Sequence, residues 1–209
     1  MEHEQPQKIV NWEETEKGKN YNLLIPSEIL RMKLLFNEKI VLGLIYTSMK
    51  KNGQLKMNNK RISKYLCLNE NTVSTTLKNL VEQKLIDKID KGYILNEKLV
   101  QQIDLNKGRT ILLPFEVFNS KLNAGAKILW GEYNSLSKGK REYYASRQYT
   151  SERLNMGESS ISSWTTLLYD NDFLVKNELF SGYMYKKKKV VTKIFERDKV
   201  NDYNEEIED

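Results

Sequence analysis

Asn71, Thr72, Ser74, Thr75 and Lys78 lie at a spacing that turns them away from the apolar stripe Val73, Leu77, Leu80 and Val81 of one expected helix. Short amides and hydroxyls with one cation are suited to hydrogen bonding with base edges in a DNA groove, not to breaking bonds. A second set, Ser159, Ser160, Ser162, Ser163 and Thr166, follows 88 residues later and contains no lysine or arginine. Lys60 and Arg61 precede the first set and Arg147 the second, where cations would meet phosphates. Lys186, Lys187, Lys188 and Lys189 fall within an expected strand, so Lys186 and Lys188 would share one face and Lys187 and Lys189 the other. Signals for catalysis are nearly absent. The one histidine, His3, sits in a polar arm, and no glycine-rich phosphate loop or nucleophile with a neighbouring base is present. A single cysteine, Cys67, excludes an intrachain disulfide and a multi-thiolate metal site, and its place between Leu66 and Leu68 predicts a small packed side chain. The expectation is a protein that is not an enzyme and has no metal or small-molecule cofactor.

The elements that would carry these residues occur twice. Without a gap, the 88-residue offset aligns Pro26 with Pro114, Lys39 with Lys127, Gly43 with Gly131, Leu66 with Leu154, Glu70 with Glu158, Ser74 with Ser162 and Leu80 with Leu168. Each copy predicts a short strand stopped by proline, a brief helix, a longer helix, and then two helices joined by a turn. In the first copy Ser27 and Asn37 are expected caps, as is Asn58 or Asn59, and residues 54–57 form a small strand. Residues 85–95 read as a tight hairpin around 90–92, and residues 174–195 as its longer counterpart. Trp164 falls on the apolar stripe of its helix, which predicts packing, while of Tyr143 and Tyr144 one should pack and one should show.

The 209 residues are 39% hydrophobic and carry a net charge of +6. Residues 1–22 contribute −2 and 196–209 contribute −5, which leaves +13 for 23–195 and makes a polyanionic partner plausible. The longest apolar run, residues 40–46, is too short to span a bilayer, and the acidic start is unlike a signal peptide, so a cytoplasmic location is expected. The expected organisation is a flexible arm (1–21), a first unit (22–95), a helical linker (96–109), a second unit (110–195) and an acidic tail (196–209).

The paired openings 24–28 and 112–116, the paired Lys-Ile helices from Lys39 and Lys127, and the polar helices 72–80 and 160–168 resemble the winged helix-turn-helix of plasmid and phage proteins. Two in tandem resemble replication initiators and regulators of mobile elements. The resemblance implies a mainly α fold with small β-hairpins (α+β), made of two tandem winged-helix domains. It also implies double-stranded DNA and a second copy of the chain as partners, with a role in transcription regulation or replication initiation. The alternative is a winged-helix dimerisation or docking module of a replication complex that reads no DNA site.

Overall fold

The computed structural model describes residues 22–90, 92–106, 108–139, 141–175 and 190–194. In chain order its elements are β1 (Leu23–Ile25), α1 (Ser27–Arg31), α2 (Phe36–Asn52), α3 (Asn59–Leu66), α4 (Glu70–Glu82), β2 (Ile86–Ile89), β3 (Gly92–Leu95) and α5 (Glu97–Leu105). After these come β4 (Ile111–Leu113), α6 (Phe115–Phe118), α7 (Ala124–Ser137), α8 (Arg147–Leu154) and α9 (Glu158–Asp170). The fold is therefore mainly helical with two small antiparallel sheets among the described residues. None of the described helices is long and apolar enough to cross a membrane.

Local chemistry explains most boundaries. Asn58, Asn69, Asn96, Asn123 and Ser146 each accept a backbone N–H of the helix that follows, satisfying a donor the first turn would leave orphaned. Two expected caps are corrected. Ser27 is the first residue of α1, buried and without a capping bond, and Asn37 lies inside α2. α2 begins at Phe36 because the Glu38 carboxylate accepts the Leu35 N–H at 2.8 Å, which closes the helix start two residues earlier than an Asn37 cap would. Val81 is 38% exposed; Thr76 takes the buried place on α4 beside Val73, Leu77 and Leu80. Cys67 is exposed, because it sits in the left-handed turn that ends α3, as Asn155 does after α8. α5, expected as a linker, buries Leu99 and Ile103 in the core.

The 88-residue offset carries β1 onto β4, α1 onto α6, α2 onto α7, α3 onto α8 and α4 onto α9. β1 and β4 pair with each other, Leu24 opposite its own counterpart Leu112, and Leu23–Leu113 and Ile25–Ile111 as reciprocal pairs. A local twofold axis therefore passes between Leu24 and Leu112. On either side of it a strand lies against a glycine of the long helix. A Cβ at Gly43 would stand 2.7 Å from Ile25 Cγ1 and 3.0 Å from the Leu24 carbonyl, and one at Gly131 would stand 2.5 Å from Leu113 Cδ2. Gly43→Ala should cost about 1–3 kcal/mol through overpacking, read as a lower urea midpoint at unchanged slope.

Buried side chains of both halves form one continuous core. Trp164 of α9 meets Phe36 of α2 edge to face at 5.1 Å and lies where a Cβ on Gly125 would be, so the packing expected for it joins the halves. Two lysines obey the same twofold relation. Lys39 Nζ donates to Leu30 O in its own half and Leu154 O in the other, both at 2.7 Å. Lys127 Nζ donates to Phe118 O at 2.9 Å and to Leu66 O across the axis at 2.8 Å.

Candidate nucleic-acid interface

In the first half, α3 and α4 are joined by the short turn 67–69, and the burial of Val73, Thr76, Leu77 and Leu80 leaves the rest of α4 outward. Asn71, Ser74, Thr75 and Lys78 are exposed as the spacing implied, while Thr72 is half-buried. Lys78 approaches Glu82 at 3.8 Å, but both side chains are mostly in solvent, so the pair is weak and easily exchanged for another anion. Lys60 and Arg61 stand exposed on the first turn of α3.

The β2–β3 hairpin packs beside these helices. Leu55 bridges Tyr93 as a short third strand, with N–H···O bonds of 2.9 and 3.1 Å in the two directions. A cleft then opens between the hairpin and the first turns of α3 and α4. Lys56, Lys60 and Lys88 line it, with Asn58 and the carboxylates of Glu70 and Asp90. Sequence reasoning named Lys60 alone of the three. Neither of the others had a local signal: alternation puts Lys88 on the same strand face as the buried Ile86, yet it is exposed, and Lys56 enters only through the Leu55 bridge.

In the second half, Ser159, Ser163 and Thr166 are exposed on α9, and Ser160 and Ser162 are half-buried. The hydroxyls of Ser162 and Thr166 donate to Glu158 O and Ser162 O of their own helix, at 3.2 and 3.3 Å, and keep lone pairs for an outside donor. Arg147 is exposed at the start of α8 and lines a groove with Tyr144, Ser162 and Thr166. Leu174 and Thr192 form an antiparallel bridge. Lys186, Lys187, Lys188 and Lys189 lie outside the described residues.

The two halves differ in charge at matched exposed positions. Where the first has Lys56, Lys60, Arg61, Lys64 and Lys78, the second has Tyr144, Gln148, Tyr149, Glu152 and Thr166. Five cations are thus replaced by four neutral groups and a carboxylate, a difference that changes the local potential without changing the backbone plan.

A buried polar cluster supports the second half. Glu132, fully buried on α7, accepts from Arg153 Nε at 2.8 Å, from Arg109 and from the Tyr143 hydroxyl at 3.1 Å. Arg153 also donates to Ser27 Oγ of the first half at 3.1 Å and to Arg109 O. Burial, reinforced by the Glu132 charge, pushes the Tyr143 phenol well above its usual range. Arg153 and Tyr143 fix α8 and the segment before it relative to α7. Among the described residues no group of three or more His, Cys, Asp or Glu could hold a metal ion.

No curated protein and no solved structure shows significant similarity to the chain. A family model does match, over residues 6–128, which include all the described elements of the first half, β4 and the start of α7 with Lys127. That match covers more than half of the sequence, and the protein belongs to the RepL family of Firmicute plasmid replication proteins.

Proposed function

We propose that this plasmid replication protein initiates replication by binding duplex DNA through a winged helix in its first half. In this reading α3 and α4 form a helix-turn-helix, α4 enters the major groove with Asn71, Ser74, Thr75 and Lys78 toward base edges, and the β2–β3 hairpin is the wing. The second half, 110–195, is a second winged helix on the same plan, held to the first (22–95) by the twofold strand pair and by the segment 96–109. Its α9 presents serine and threonine hydroxyls but no cation, so it contributes less to duplex affinity. The observation that carries the reading is the gathering of Lys56, Lys60 and Lys88 in one cleft that is also lined by the first residue of α4.

Phosphate contacts and base contacts separate in the salt dependence. Alanine at Lys56, Lys60 and Lys88 together should flatten the log–log salt slope by up to about 3, from about 0.9 per phosphate, and weaken selected and random duplexes alike. Alanine at Asn71 and Thr75 should instead cost about 1–3 kcal/mol per lost base contact at a site selected from a random duplex library and little elsewhere. Titrations of labelled duplex at several salt concentrations read both. A duplex affinity that ignores salt, or a larger loss from Ser159 and Ser163 replacements, would overturn the assignment. The docking-module alternative expects none of these variants to matter.

A further inference from the structure

We infer that the groove between α8 and α9 holds an unpaired nucleobase of single-stranded DNA, stacked on Tyr144. The groove has a volume of about 730 Å³, which is room for a base and its sugar. Tyr144 lines it and is 72% exposed, an unusual place for a tyrosine with no packing role. Its backbone is nonetheless held. The neighbouring Tyr143 N–H donates to Val190 O at 2.7 Å, and the Tyr143 hydroxyl lies within hydrogen-bond distance of Glu132 and Thr150. A ring presented to solvent from an anchored segment is a stacking platform, and stacking accepts any base because every base has a π-face.

The rest of the lining fits the same ligand. Ser162 and Thr166 offer hydroxyl oxygens to a base N–H, Arg147 at the rim suits a phosphate, and Glu142 at the mouth repels a phosphate but accepts from an exocyclic amine. A duplex track needs a row of cations, and the matched positions in the first half supply it with Lys56, Lys60 and Lys78. Here those positions are Tyr144, Gln148 and Thr166, and the described lining balances one cation, Arg147, against one anion, Glu142, which favours the base over the backbone. The site does not depend on duplex binding by the first half.

The test uses the full chain and a labelled oligothymidine of roughly 15 nucleotides, a length within the usual single-strand site size. Tyr144→Ala should weaken this complex roughly 5- to 150-fold, the factor carried by one base–aromatic stack, while Tyr144→Phe keeps the ring and most of the affinity. Duplex affinity should be unchanged in both, and because Tyr144 is exposed both variants should melt as the parent does. Equal single-strand affinity for Tyr144→Ala and the parent overturns the proposal. So does an equal loss in Tyr144→Phe, or a change in self-association by sedimentation with single-strand binding intact, which would make the groove a protein contact. Single-strand binding that survives when the parent shows no duplex binding would leave this site standing and remove the duplex reading.

Discussion

Glu132→Ala is expected to destabilise the fold by about 3–5 kcal/mol, the range for breaking a buried ion pair from one side. The loss is large because the Arg153 guanidinium remains. It is 5% exposed, its Nε loses its carboxylate, and only the neutral acceptors Ser27 Oγ and Arg109 O are left. Arg109 is partly exposed and can turn to water, so it adds less. The other half shows how the same place is filled without charge. Leu44 stands where Glu132 would, and Tyr65 stands where Arg153 would, packed on Phe118 at 4.8 Å between ring centres. Glu132→Leu combined with Arg153→Leu should therefore lie closer to the parent than either single change, since removing both charges also removes their desolvation cost. Urea unfolding of the parent, both single variants and the double variant measures the coupling. Additive losses would mean that the pair is not coupled through its charge.

Lys39 and Lys127 give the second large effect. Each ammonium caps the carbonyl ends of two helices, one from each half, where the helix dipoles favour a cation. Truncation to alanine leaves two buried carbonyls unpaired at about 1–3 kcal/mol each, with a cavity in addition, so either variant should lose several kcal/mol. Burial also depresses both lysine pKa values to about 8. An unfolded lysine titrates near 10.4. Between the two values the unfolded chain binds more protons than the folded one, so stability rises as pH rises through about 8, by about 2 kcal/mol per lysine near pH 9.5. The neutral amine still has two N–H donors for its two carbonyls. Above about pH 10 the trend should reverse, because burial raises the Tyr133 and Tyr143 phenols and the unfolded tyrosines then lose protons first. Urea midpoints from pH 7 to 11 should pass through a maximum, and replacing both lysines with methionine should flatten the rising limb. A midpoint that falls steadily from pH 7 would show that the lysines are not desolvated.

Much of the candidate interface could be read from the chain, because the outward face of α4 is the complement of a short apolar stripe. The positions of Asn71, Ser74, Thr75 and Lys78 follow from Val73 and Leu77 alone. The cleft was less legible. Its lysines come from residues 56, 60 and 88, and only the packing of the hairpin on α2 and α4 brings Lys88 to the other two. Tyr144 was one of two adjacent tyrosines, and nothing local decides which of them bonds to Glu132 and which is left outside.

Local interactions determined the helices and the β2–β3 hairpin, since their caps and stripes act within a few residues of each other: Asn69 on Asn71, Ser146 on Tyr149, Asn58 on Arg61. The 88-residue offset was likewise written in the chain, as a recurrence that needs no fold to be seen. Tertiary structure alone decided how the copies meet. A strand of three residues carries almost no register information, and β1 acquires its register only against β4. Lys39 and Lys127 look like surface lysines until Leu154 and Leu66, from opposite halves, close over them with carbonyl groups. Burial of a charge is a property of what surrounds it, and those surroundings are supplied by residues 115 and 61 positions away along the chain.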